Sequence, residues 1–114
     1  SEKLGGYRAA AEAFRRYPDT TAIFAANDQT AFGARLYLYE QGLRVPEDVS
    51  LVGFDDIALS AYQIPPLTTV RQPIQDIGIA LGRALRAVLA GEVPTLPRLE
   101  LRLVERASVR EVRA

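Results

Sequence analysis

The feature that most limits what this chain can fold into is a short apolar run that ends abruptly in polar side chains, and it occurs twice. Ala22-Ile-Phe-Ala-Ala leads into Asn27-Asp28, and Val49-Ser-Leu-Val-Gly-Phe leads into Asp55-Asp56. A run apolar on both faces fits a strand covered by helices on both sides, as in a parallel α/β sheet. Polar groups where such runs stop fall at the carboxyl ends of the strands, and open α/β sheets bind ligands there. The expectation is that Asn27 and Asp55 lie side by side on one rim and face a polar small molecule.

The rest of the chain supports an α/β reading. Residues 4–17 carry Leu4, Tyr7, Ala10, Ala11 and Phe14 at helical spacing, with Arg8, Glu12, Arg15 and Arg16 opposite. Tyr17-Pro18 ends this helix, because the residue before proline is pushed out of the helical region. A strand is expected at 21–26, a helix at 28–41 with Gly42 as its left-handed cap, and a second strand at 49–54. Ile57 to Tyr62 suit one or two helical turns, and Ile64-Pro65-Pro66 forces an extended path. Residues 67–71 read as a strand and 74–90 as a long helix with Ile77, Leu81, Leu85, Val88 and Leu89 on its apolar face. Alternation over 98–105 predicts a last strand with one solvated face, and the tail 109–114 is expected to fray.

Composition narrows the chemistry. The 114 residues suit about one domain. Fourteen basic and fourteen acidic residues cancel, so nothing marks a stand-alone binder of nucleic acid or acidic lipid. The chain has no cysteine and no histidine. That removes disulfides, thiolate and imidazole metal sites, Ser-His triads and the usual general base. There is no GxGxxG or GxxxxGK[ST] loop and no EF-hand spacing, so no cofactor and no metal are expected. No apolar run approaches the roughly 20 residues of a membrane span, and no signal peptide is visible, which makes a cytoplasmic location the default.

Each candidate residue also has an ordinary structural role. Asn27 or Asp28 is needed to cap the helix that starts there, leaving the other for a ligand. Asp55-Asp56 suits a simple turn, or one carboxylate accepts hydrogen bonds from ligand hydroxyl or amine groups. A buried carboxylate is costly if unpaired, so Asp55 should be rim-exposed or paired. The two point in different directions and have no nucleophile nearby, which disfavours acid–base catalysis. Gln72, just before the long helix, is unremarkable by spacing alone.

Three segments, Ala22-Ile-Phe-Ala-Ala-Asn-Asp-Gln-Thr-Ala-Phe-Gly-Ala34, Gly42-Leu-Arg-Val-Pro-Glu-Asp-Val-Ser-Leu-Val-Gly-Phe-Asp-Asp56 and Pro65-Pro-Leu-Thr-Thr-Val-Arg-Gln-Pro73, resemble the effector-binding core of the lactose/galactose-repressor (LacI/GalR) family of bacterial transcription regulators. Leu103-Val-Glu-Arg-Ala-Ser108 is similar to that family's last strand. The resemblance covers the whole chain, which spans about the C-terminal third of such a protein. It implies a parallel-sheet, Rossmann-like fragment of the periplasmic-binding-protein-like type I fold. Residues 1–66 and 98–106 would form the C-terminal subdomain, 67–73 a crossover, and 74–91 a helix of the N-terminal subdomain. The helix-turn-helix DNA-binding head would lie outside the chain.

By the same resemblance, Asn27, Asp55 and Gln72 match effector hydrogen-bonding positions, and Ile74 and Ile77 match apolar positions that close the cleft. Tyr62, Gln63 and the edge of the 28–41 helix are candidates for a homodimer contact. The implied function is ligand sensing. A small polar effector, a sugar above all though related regulators also sense purines, shifts an equilibrium that controls operator DNA binding by the head. The alternative is a free-standing sugar-binding protein of an uptake system, which shares the fold. A small α/β enzyme is the third reading, weakened by the missing histidine, cysteine and phosphate loop.

Overall fold

In the computed structural model, residues 1–112 are described. The chain divides into two compact units, one of Ser1–Arg71 together with the residues from Leu103 on, the other of Gln72–Arg102.

The first unit opens with α1 (Glu2–Arg16), whose N-cap Ser1 accepts a hydrogen bond from the Leu4 N–H. β1 (Ala22–Phe24) follows, then α2 (Asp28–Glu40) and β2 (Ser50–Val52), and β1 and β2 pair in parallel as Ala22 with Ser50 through Phe24 with Val52. This is the expected βαβ unit. α2 closes with the Leu43 N–H on the Leu38 carbonyl and the Gly42 N–H on the Tyr39 carbonyl, at 2.9 and 3.0 Å, with Gly42 at φ +73°. That double bond is the Schellman arrangement, and it needs a residue tolerant of positive φ at Gly42. The expected loose turns are a 3₁₀ helix over Ala58–Tyr62. β3 (Thr69–Arg71) then pairs with β4 (Arg102–Val104), and parallel bridges Val52–Thr68 and Asp55–Arg71 run β3 alongside the end of β2.

The core joins Ala10 of α1, Ala31, Ala34 and Leu38 of α2, and Val45, Val49, Leu51 and Leu67. The two helices approach closely through glycine. A Cβ on Gly33 would run into the Lys3 carbonyl, and one on Gly6 into the Thr30 carbonyl. Small residues here let the helix axes approach more closely than larger side chains would allow. Around the contact Tyr37 meets Tyr7 edge-on at 5.6 Å between ring centres and Phe14 at 6.1 Å. The Tyr7 hydroxyl is raised above its ordinary pKa, chiefly by its hydrogen bond to Glu40.

Three expectations need correction. Ser50 and Leu51 of β2 are buried on successive residues, as a strand covered on both faces should be. β1 is not so covered. Ile23 faces the core, and Phe24, which alternation turns the other way, is 68% exposed. The last strand is shorter than 98–105, since only Arg102–Val104 finds a partner, and Leu101 and Leu103 stand exposed rather than on a buried face. The tail is not frayed as far as Arg110. Ser108 is buried, its hydroxyl donating to the Leu51 carbonyl and accepting from the Thr68 N–H, and the Arg110 N–H donates to Ser50 Oγ at 3.0 Å. The end of that tail, 113–114, lies outside the described residues.

The second unit is α3 (Ile74–Leu89) and the segment that follows it. Gly91 takes φ +77° just past the helix, as its place in the sequence predicts. Ala80 is buried, whereas Leu81, Leu85, Val88 and Leu89 are exposed. The apolar stripe exists, half-buried at Ile77 and exposed from Leu81 onward.

Candidate functional site

The β1–β2 register sets the candidate site. The paired register runs from Ala22–Ser50 to Phe24–Val52, and Asn27 and Asp55 each lie three residues beyond those strand ends. The Asp28 N–H donates to the Phe54 carbonyl at 2.9 Å, which holds the two chains together past the formal strands. The Asp55–Arg71 bridge extends the arrangement to β3. Asn27, Asp55 and Arg71 therefore belong to the row of residues at the carboxyl ends of three neighbouring strands, where this class of sheet takes its ligands.

Within the row, cap and anchor separate. Asn27 is the N-cap of α2, its Oδ1 accepting from the Thr30 N–H at 2.9 Å. It is half-buried. Asp28 is 1% exposed. Its Oδ2 accepts from the Ile57 N–H at 2.9 Å and the Ser60 hydroxyl at 2.5 Å, and its Oδ1 accepts from the Thr69 hydroxyl at 2.6 Å. Three donors satisfy a charge that would otherwise be very costly to bury. Gly53 makes room for it, since a Cβ there would collide with Asp28 Oδ1 and crowd Leu67. Of the pair Asn27-Asp28, the first caps and the second holds α2, the 3₁₀ turn and β3 together.

Asp55 and Asp56 divide in a similar way. Both have positive φ, +116° and +55°. Side chains rarely adopt that region, and aspartate is among the few that tolerate it. Asp55 is half-buried, and its N–H donates to the Val70 carbonyl at 2.8 Å. The Asp56 side chain is 5% exposed, with Arg71 Nη2 2.7 Å from Oδ2 and Arg106 Nη2 2.7 Å from Oδ1. Burial pushes this carboxyl up, but the Arg106 and Arg71 guanidiniums outweigh it and hold the group below the ordinary carboxylate range.

Gln72 and Ile77 are half-buried and Ile74 is exposed, all three in the second unit. Tyr62 is 81% exposed and Ile64 85%, with Leu59 and Tyr39 also exposed. Gln63 donates to the Leu59 carbonyl at 3.1 Å, and Arg35 Nη2 donates to the Ile64 carbonyl at 2.9 Å, tying this segment to α2. A concavity of about 660 Å³ lined by Arg35, Tyr39, Val45, Ile64 and Pro65 lies nearby. It does not include Asn27 or Asp55. We place the candidate ligand site at the rim because polar residues end successive strands there, whereas the concavity is a shallow, mostly apolar groove.

Sequence reasoning weighed Asp28 and Asp56 as cap, turn or ligand residues without finding their partners, and it missed the Gly6–Gly33 crossing. The partners of Asp28 lie 29 to 41 positions away. No local pattern announces such a pairing. Among the described residues no group of three acidic, cysteine or histidine side chains could hold a metal ion. No described helix is long and apolar enough to cross a membrane.

A parallel α/β unit with its polar rim at the strand ends defines a class of ligand-binding fold, and comparison identifies the class: residues 2–109 match the periplasmic binding protein-like domain, and the chain belongs to that family. Its sequence and fold are similar to the effector-binding region of LacI-family transcription regulators. The HTH-type transcriptional repressor PurR of Escherichia coli O1:K1 is 39% identical over 110 residues, 95% of this chain and 32% of the repressor. The transcriptional regulator CelR, solved with cellobiose, superposes with a TM-score of 0.84 at 38% identity over 93% of this chain and 33% of its own. The Lac repressor dimer bound to operator superposes at 0.83 with 34% identity over 93% of this chain and 37% of its own. The chain thus spans about a third of the length of these relatives. They are transcription regulators, a non-enzymatic family.

Proposed function

We propose that this chain is the ligand-sensing part of a cytoplasmic DNA-binding regulator, and that a small polar effector, a sugar, is held against the rim by Asn27 and Asp55. The observation that carries this reading is that Asn27 and Asp55 each lie three residues beyond the ends of two neighbouring parallel strands. Asp55 accepts hydrogen bonds from ligand hydroxyls, and the Asn27 amide NH₂ donates while its carbonyl caps α2. Gln72, Ile74 and Ile77 supply further contacts. A sugar is preferred because CelR was solved with cellobiose. A homodimer forms through Tyr62, Gln63 and the adjoining edge of α2, where aromatic and aliphatic side chains stand in water. Effector binding biases one of two conformations of the whole regulator, and operator affinity follows.

The test is Asp55→Asn in the full-length protein, a change that removes the charge and keeps a side chain tolerant of positive φ. One charge-assisted hydrogen bond contributes about 1.5–3 kcal/mol, so the effector concentration for half-maximal operator response should rise roughly 10- to 150-fold. Operator binding without effector should stay as in wild type. A normal effector response in this variant excludes Asp55 as a contact.

A further inference from the structure

The chain leaves the first unit after Arg71 and re-enters it at Leu103. Both connections are fastened to a single carboxylate. Arg71, the last residue out, places Nε and Nη2 each 2.7 Å from Asp56 Oδ2. Arg106, three positions after the return, reaches Oδ1. Arg106 is itself fixed, its N–H donating to Thr69's neighbour Thr68 at Oγ1 and its Nη1 to the Leu67 carbonyl, both at 2.9 Å. The Arg106 pair is sheltered, with the Arg106 side chain 17% exposed, whereas the Arg71 side chain is 50% exposed. Asp56 also directly follows Asp55, whose φ of +116° lies outside the region that even aspartate prefers. Such a backbone persists only where its surroundings over-determine it. Here the Asp55 N–H is held by Val70 on one side, and the Asp56 carboxylate is held by two arginines on the other.

We propose that Asp56 is a positioning residue that clasps the outgoing and returning segments to one point and sets the backbone of Asp55. It does not touch the effector. The part that concerns Asp55 rests on the effector-contact reading above, and the clasp itself does not. A clasp of this kind ties the backbone of Asp55 to both chain connections, so that displacement of one is felt by the others.

The test is hydrogen exchange on the full-length regulator as wild type, Asp56→Asn, and Asp48→Asn as a control that breaks the surface pair with Arg44. In Asp56→Asn the Asp55 and Arg106 amides should exchange about tenfold faster, with α1 and α2 amides within about twofold of wild type and of the control. Acceleration at only one of the two amides overturns the clasp. So does acceleration spread equally over α1 and α2, which marks a general loss of stability. A second measurement follows thermal stabilisation by cellobiose and by lactose. If wild type responds to either sugar, Asp56→Asn should need at least about fivefold more of it for half-maximal stabilisation. An unchanged midpoint overturns the positioning of Asp55. A wild type that responds to neither counts against the sugar reading, and the exchange result alone then decides the clasp.

Discussion

Asp28 and Asp56 each follow a candidate contact residue beyond neighbouring strands, and the side chains of both are buried, yet they are held by different chemistry. Asp28 accepts three hydrogen bonds from neutral donors, two hydroxyls and a backbone N–H. Asp56 is satisfied by two guanidiniums. The donors to Asp28 come from the turn before the 3₁₀ helix, from that helix and from β3, so the carboxylate is the meeting point of elements that stay within one unit. The arginines on Asp56 flank the places where the chain passes to the other unit and back. A neutral cage makes a rigid wall behind Asn27. The ion-paired cage sits where the chain passes between the two units, and its pairing is weakened by salt where Arg71 is exposed.

The largest effect that separates the two should come from Asp28→Ala. It leaves the Ile57 N–H and the Ser60 and Thr69 hydroxyls without their acceptor inside the core. Each orphaned donor costs about 1–3 kcal/mol, and with partial relaxation the total should be about 3–5 kcal/mol. Thermal unfolding of the full-length protein should show a markedly lower midpoint or little folded protein. A loss under about 1 kcal/mol would mean that the three hydrogen bonds do not hold α2, the 3₁₀ turn and β3 together.

Asp56→Asn should do less at neutral pH, about 1–2 kcal/mol, because Arg71 is half exposed and its pair is screened. The pH dependence is the sharper measurement. The folded-state pKa of Asp56 is lowered, so its contribution is complete above the ordinary carboxylate range and is lost as pH falls through the folded value. The stability gap between wild type and Asp56→Asn should be flat from neutrality to about pH 4.5 and should close below about pH 4. A gap that opens on acidification has the wrong sign for a carboxylate stabilised by arginine.

How much of this was legible beforehand depends on the distance over which a residue is satisfied. The helices at α1, α2 and α3, the caps at Gly42 and Gly91 and the parallel pairing of β1 with β2 are written in local spacing, and the sequence reading locates them. That Asn27 and Asp55 lie just past the carboxyl ends of neighbouring strands follows from two local facts, the similar length of the two apolar runs and the polar residues that end them. Phe24 defeats the reading because an apolar strand residue looks the same whether or not a layer covers it. Residues 98–101 defeat it because alternation creates a strand only where a neighbour offers hydrogen bonds. Gly6 and Gly33 read as neutral or unfavourable helix residues until the two helices are seen to approach through them. The division of labour between Asn27 and Asp28, and between Asp55 and Asp56, depends on Thr69, Arg71 and Arg106, which no window around those residues contains.

The smallest effect is the one that tells cap from contact at Asn27. Its Oδ1 accepts from the Thr30 N–H, and a serine can do the same while lacking the amide NH₂. Asn27→Ala should cost about 1 kcal/mol by removing the cap, and Asn27→Ser only a few tenths, because serine and asparagine are near equals at this position. If Asn27 contacts the effector, both variants should weaken the effector response, although only alanine lowers stability. If Asn27 is a cap alone, Asn27→Ser should respond as wild type does, and the rim would then present a single ligand-binding carboxylate at Asp55. Paired unfolding and operator-release curves on the two variants distinguish these outcomes. They also show whether β1 and β2 both contribute a ligand contact, or whether β1 ends in structure only.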